Sequence, residues 1–172
     1  VGRVRDRGVR ALWDALPAPP ERTWLLHTDA DTTVPPGWVL DQLRYAEAGA
    51  DAVAGAVDLD GAAALPAAAL CRYAELVAAG TGRDRHEHAY AANLGVRASV
   101  YARVGGFPAV DSGEEHALLA LLRRDGHRVV APTDVRVRTS ARLHGRARGG
   151  LADLLHGLAA EAGGALPRLA PS

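Results

Sequence analysis

Trp24-Leu25-Leu26-His27-Thr28-Asp29-Ala30-Asp31 is the stretch on which the fold turns. An apolar run of this length, closed by turn residues, reads as a buried strand. It ends in two aspartates two residues apart, which share a face in extended chain unless a turn re-aims one. Open α/β sheets bind ligands beyond the carboxyl ends of their strands. Two hard carboxylates at that place suit a divalent cation that keeps water and binds substrate phosphates. A second reading has Asp29 and Asp31 only capping the turn that they form with Thr32, Thr33, Pro35 and Pro36.

Upstream, residues 3 to 16 have helical spacing, with Val4, Val9, Leu12, Trp13 and Leu16 apolar and arginines between them, and Pro17 to Pro20 end the run. Downstream, Pro35 or Pro36 suits the first position of a helix that passes through Trp38, Leu40, Leu43 and Tyr45 and stops at Gly49. Asp51 to Val57 reads as a second strand, and the Ala-rich stretch from about 62 to 79 as a helix. Gly80 to His88 is a charged loop. Ala91 to Val96 is a further buried strand, followed by helices at about 98–104 and 114–125, the second with Gly126 as its C′ residue. Residues 128–131 and 135–137 are short strands, and a last amphipathic helix lies near 151–162. Strands alternate with helices, so the expected class is α/β with a mostly parallel sheet.

At 172 residues the chain is one domain by length, large enough to bury a core. Its formal charge is zero, which argues against bulk nucleic-acid or anionic-membrane binding. No apolar run approaches the length of a membrane span and no secretory signal opens the sequence. A single cysteine, Cys71, rules out an internal disulfide and fits a cytoplasmic location. All 20 basic residues are arginine, so mechanisms that need an amine, Schiff bases and phosphate-loop lysines among them, are excluded.

Three segments now stand in order. The first is Thr28-Asp29-Ala30-Asp31, with Val34-Pro35-Pro36-Gly37-Trp38 behind it. The second is Ala92-Asn93-Leu94-Gly95-Val96-Arg97, running into Val104-Gly105-Gly106-Phe107. The third is Gly113-Glu114-Glu115-His116, leading to Gly126-His127-Arg128-Val129. The series resembles family 2 glycosyltransferases of the GT-A fold, in which a DxD motif precedes a proline-led helix, an Asn-bearing strand runs into a "VGGF" turn, and a "GED" motif opens a helix ending in "GHRV". Gly2 to Gly8 is similar to the "ARN-x-G" helix that precedes the DxD strand there. The resemblance covers roughly residues 1 to 140. It implies a GT-A-like, Rossmann-like domain over residues 1–148, with a C-terminal helix and loose tail over 149–172.

The resemblance also implies an activity: inverting transfer of a sugar from a nucleotide-diphosphate donor to an acceptor hydroxyl of unassigned class. A bound Mg²⁺ or Mn²⁺ would act as Lewis acid and template for the leaving diphosphate. Asp31 would ligate it, and Asp29 would face the ribose or a metal-bound water. Glu115 would be the general base, work worth on the order of 10²- to 10⁴-fold. It stands where the family has the Asp of "GED", one methylene longer. Glu114 would hydrogen-bond the acceptor or hold the loop. Against both, two acids at a helix start also complement the helix dipole. Asn93 would point toward the donor or acceptor sugar, or simply bridge two strand ends.

Relatives place a metal-binding His after the strand that follows the "GED" helix. Here that run is Arg138 to Arg142, and the first His is His144, which would have to reach in from the loop. Arg142, Arg146 and Arg148 sit among glycines, where their forked guanidinium groups would clamp the diphosphate or simply be solvated. Arg83 to His88 lacks helical zinc spacing and reads as a solvent-facing loop beside the acceptor cleft. His27 reads as a satisfied core histidine, and His156 is given no role.

Two alternatives fit part of the residues. Asp29-Ala30-Asp31-Thr32-Thr33 after a strand also resembles the haloacid-dehalogenase phosphohydrolases, but those usually carry a downstream Lys, absent here, and a later acidic pair at a strand end, where Glu114-Glu115 opens a helix. A non-catalytic remnant, or a module completed by a partner polypeptide, is the other. The family's nucleotide-reading strands lie ahead of the DxD strand, and this sequence, which starts at Val1 and contains no Met, reads as lacking them. The edge of the DxD strand would then be bare and prone to pairing.

Overall fold

A computed structural model of the chain describes residues 2–15, 18–145 and 149–163. Helix α1 (Gly2–Trp13) leads to strand β1 (Trp24–His27), a two-residue strand β2 (Thr32–Thr33) and helix α2 (Trp38–Glu47). Strands β3 (Ala52–Ala54) and β4 (Ala56–Asp60) follow, then α3 (Ala67–Ala79), β5 (Leu94–Arg97), α4 (Ala98–Arg103) and α5 (Glu114–Arg124). Strands β6 (Val129–Val130) and β7 (Arg136–Ser140) precede the last helix, α6 (Leu151–Gly163). The loose tail expected beyond 163 lies outside the described residues.

The α/β class holds, but the expected mostly parallel sheet does not. The strands form two mixed sheets, ordered β1-β5-β3-β6 and β2-β7-β4. β5 runs antiparallel to both of its neighbours, β1 and β3, and β2 is antiparallel to β7; only β3–β6 and β4–β7 are parallel. As anticipated, β1 lies at an edge, with a strand partner on one side only among the described residues.

The strand read over 51–57 is two strands broken at Gly55, where the chain passes from one sheet to the other. Gly55 N–H donates to the Asn93 carbonyl at 2.8 Å. A Cβ at Gly55 would lie 2.6 Å from the Val135 carbonyl oxygen, so only glycine permits this crossing. Neither Pro35 nor Pro36 opens α2. They form a turn ahead of its cap, closed by Trp38 N–H to Pro35 C=O at 3.0 Å.

The four-stranded sheet is covered on both faces, and alternation along its strands assigns each side chain. Ala52, Ala54, Leu94 and Val96 face α1, α4 and α5, burying Val9, Val100, Tyr101, Phe107, Leu118, Leu119 and Leu122. Val53 faces the other way, in a cluster with Trp38, Val57, Val135 and Val137. In α1 the buried side differs from the apolar residues read in sequence. Val4 and Leu12 are exposed, and the inward stripe is Gly2, Arg5, Asp6, Val9 and Trp13. α6 is part of the same body: Leu155 and Leu158 pack with Leu65, Ala69 and Tyr73 beside α3. No described helix is long and apolar enough to cross a membrane.

Candidate functional site

β1 ends at His27, and the chain then turns, with Thr32 N–H donating to Asp29 C=O at 3.1 Å. Asp29 and Asp31 therefore leave the strand on a turn. Each meets an arginine from a distant part of the chain. Arg5 of α1 holds the Asp29 carboxylate in a direct ion pair and lies 3.4 Å from the Thr28 carbonyl. Arg142, two residues beyond β7, places Nη2 2.9 Å from Oδ2 of Asp31. The backbone fixes that second approach. Ser140 N–H donates to Asp31 C=O at 3.2 Å, and the hydroxyls of Thr32 and Thr139 meet at 2.9 Å.

Arg5 also reaches the start of α5, where its Nε lies 3.5 Å from Oε1 of Glu114. One guanidinium thus ties the acidic turn after β1 to the acidic start of α5. Glu114 is buried. The fit is close enough that a Cβ on Gly2 would stand 2.9 Å from Glu114 Cβ. Glu115 is half-buried, and that desolvation raises its carboxyl above the usual range, with the neighbouring Glu114 charge adding to the rise. A carboxylate raised in this way is a better proton acceptor than a solvated one.

The "VGGF" turn earns its glycines twice over. Gly105 and Gly106 both have φ near +83°, a region that side chains resist. Gly106 also lies against Tyr101, whose hydroxyl would stand 3.0 Å from an added Cβ. That hydroxyl donates to Oδ1 of Asp6 at 2.9 Å and accepts from Phe107 N–H at 3.2 Å. Phe107 in turn meets the His27 ring edge-on, centroids 5.1 Å apart. His27 is a core residue as expected, but it is not fully satisfied: its Nε2 has no hydrogen-bond partner among the described residues. Burial, with a smaller contribution from the Arg5 charge, pushes its pKa down to about 4.

Asn93 does not face a ligand. It is fully buried, and all of its bonding capacity is used inside the core. Its Oδ1 accepts from Trp38 Nε1 at 2.9 Å and Gln42 Nε2 at 3.0 Å. Its Nδ2 donates to the carbonyls of Ala56 and Val135 at 2.8 and 2.9 Å. The bridging role is the one realised, and contact with a sugar is corrected. His144 likewise does not join the aspartates. Its ring lies beside His156 of α6, centroids 5.5 Å apart, and no group of three metal-ligating side chains forms among the described residues. Arg146 and Arg148 lie outside the described residues.

The 83–88 loop departs from a wholly solvent-facing reading. Residues 83–85 are exposed, but His86 is buried and neither ring nitrogen has a hydrogen-bond partner among the described residues. Its ring stacks on His88 at 5.8 Å, and burial lowers its pKa. A cleft of about 460 Å³ opens between α1 and α4, lined by residues including Asp6, Arg10, Trp13 and Tyr101. It excludes Asp29, Asp31 and Glu115.

Sequence reasoning missed Arg5 and the partner of Asp31. The signal for Arg5 was present: it lies three residues from Gly2 and four from Val9, a charge on the helix's buried stripe. Nothing in the sequence pairs Arg142 with Asp31, because their proximity arises from the β2–β7 register. The chain matches no protein-family model, no curated protein and no solved structure.

Proposed function

We propose that this chain carries the diphosphate- and acceptor-facing part of a glycosyltransferase resembling family 2, acting on a nucleotide-sugar donor by inversion. The observation that carries this reading is the Arg5 bridge, which joins the Asp29-Ala30-Asp31 turn to the Glu114-Glu115 helix start. A lone acidic turn, or a lone pair of acids at a helix start, is accounted for by capping and dipole effects. Their convergence is not.

In this reading Glu115 accepts the proton of the acceptor hydroxyl. As it does so, the new bond forms from that oxygen to the anomeric carbon, and the bond from that carbon to the diphosphate oxygen breaks. Its raised pKa suits the task. Arg5 fixes Asp29 and Glu114, and so orients the two segments without meeting the acceptor. Asp31 would supply the carboxylate for Mg²⁺ or Mn²⁺, while Asp29, held by Arg5, would face the ribose or a metal-bound water, and no group of three metal-ligating side chains forms among the described residues. A hard cation of this kind binds through one or two carboxylates, with water and substrate phosphates completing the shell. When bound, the cation would offset the charge gathering on the departing diphosphate. The nucleotide itself would be read beside the free edge of β1, where the resemblance places the nucleotide-reading strands.

Calorimetric titration with UDP and GDP, with and without Mn²⁺, tests the reading on the wild type and on Asp31→Ala. Cation-dependent binding that disappears in the variant supports it. Binding of neither nucleotide under any condition overturns it.

A further inference from the structure

Asp31 is not a vacant ligand: its carboxylate is already matched by a guanidinium. Arg142 Nη2 sits 2.9 Å from Asp31 Oδ2, in a pair whose arginine side is half exposed. The arginine is free to leave. It follows β7 on a loop whose described residues, from Arg142 to Gly145, form no helix or strand, and its guanidinium has no other hydrogen-bond or ion-pair partner among the described residues. The other aspartate differs. Arg5 is largely buried, bonded to Asp29 and paired with buried Glu114, so it is fixed in place. The two pairs therefore divide the labour between a permanent anchor and an exposed, breakable contact.

We infer that Arg142 is an exchangeable counter-ion for Asp31, which suppresses binding of a free divalent cation and passes to the diphosphate when cation and nucleotide enter together. The inference rests on the glycosyltransferase reading and deepens it, by assigning an order to the ligands of that site. The physical basis is charge balance. A cation alone must displace Arg142 and leave that positive charge beside its own. A cation arriving with a diphosphate brings the anion on which Arg142 can settle, through the bidentate geometry that guanidinium groups form with phosphate oxygens. Binding of cation and nucleotide is then positively coupled through one side chain, and the coupling is reciprocal.

The test is titration with Mn²⁺, followed by the paramagnetic resonance signal of the free ion, on the wild type, Arg142→Gln and Arg138→Gln. Arg138 pairs with Asp60 on the neighbouring strand, so its variant makes the same change in net charge without breaking the Asp31 pair. With Mn²⁺ alone, Arg142→Gln is expected to bind about threefold to fivefold more tightly than the wild type, the scale of an exposed ion pair. Arg138→Gln should bind as the wild type does. With saturating UDP or GDP present, the advantage of Arg142→Gln should vanish or reverse.

Equal affinities for Mn²⁺ alone overturn the inference and leave the glycosyltransferase reading standing, as does an equal gain in Arg138→Gln. An advantage that persists undiminished with nucleotide overturns the transfer of Arg142 to the diphosphate. Failure of all three proteins to take up Mn²⁺, with or without nucleotide, overturns the reading and the inference together.

Discussion

The indole N–H of Trp38 ends 2.9 Å from Oδ1 of Asn93, a bond between a helix and the strand junction that it covers, both out of reach of solvent. With Gln42 and two carbonyls also on this amide, Asn93 is the polar centre of an otherwise apolar layer. Removing it strands several buried donors and acceptors at once, each costing about 1–3 kcal/mol. Asn93→Ala is therefore expected to lose about 3–5 kcal/mol. Asn93→Asp should lose a similar amount, because its second oxygen would face two carbonyls. Urea unfolding at constant slope measures both; a loss under 1 kcal/mol in each would refute the assignment.

Gly105 and Gly106 share a backbone conformation but not their surroundings. An added Cβ at Gly105 meets nothing within 4 Å, whereas at Gly106 it meets Asp6 and Tyr101. Gly105→Ala should cost only the left-handed strain of about 1–2 kcal/mol. Gly106→Ala adds crowding, for a total of about 3–4 kcal/mol. Thermal melts of the two variants separate these effects, and equal losses would show that crowding plays no part.

Arg5 and Glu114 are both largely buried; removing Arg5 leaves Glu114 without its cation, whereas removing Glu114 leaves Arg5 still paired with Asp29. Arg5→Leu should destabilise by about 3 kcal/mol and Glu114→Leu by less. The double variant should recover part of that loss, with a coupling of about 1–3 kcal/mol. Strict additivity in a double-mutant cycle would mean that the two side chains do not interact.

His27 makes stability depend on pH. Its pKa is lowered from 6.5 to about 4 in the fold, so the unfolded chain takes up the proton first as pH falls. The stabilisation is whole above the unfolded pKa of 6.5 and is lost progressively as pH drops through about 4. That shift corresponds to about 3 kcal/mol. His27→Leu should unfold with a shallower pH dependence across this window, since Leu never takes up a proton. Parallel curves for the two proteins between pH 6.5 and 4 would refute this account.

Much of the architecture is legible before any coordinates, because punctuation and periodicity are local. Gly126 marks the end of α5 with a φ of +81°, and Trp24 to His27 form the expected strand. What resisted reading was set by contacts distant in sequence. Nothing within Asp51 to Val57 reveals that Gly55 must pass between Asn93 and Val135 and so split the strand in two. An asparagine at a strand end looks alike whether it meets a sugar or, as here, four protein groups. The site was half legible. Its acids stand in recognisable order, but their arginine partners come from α1, packed on the sheet, and from the loop after β7, brought in by the β2–β7 register.

β5 lies between β1 and β3, and its register pairs Trp24 with Arg97 and Ala52 with Val96. The strand that unites this sheet is thus synthesised after both of the strands it joins. A nascent chain ending near residue 93 holds β1 and β3 without the strand that joins them among the described residues. Joining β1 to β3 must therefore wait for Arg97 to clear the exit tunnel. Topologies that delay pairing in this way fold slowly and expose their unpaired strands to chaperones meanwhile.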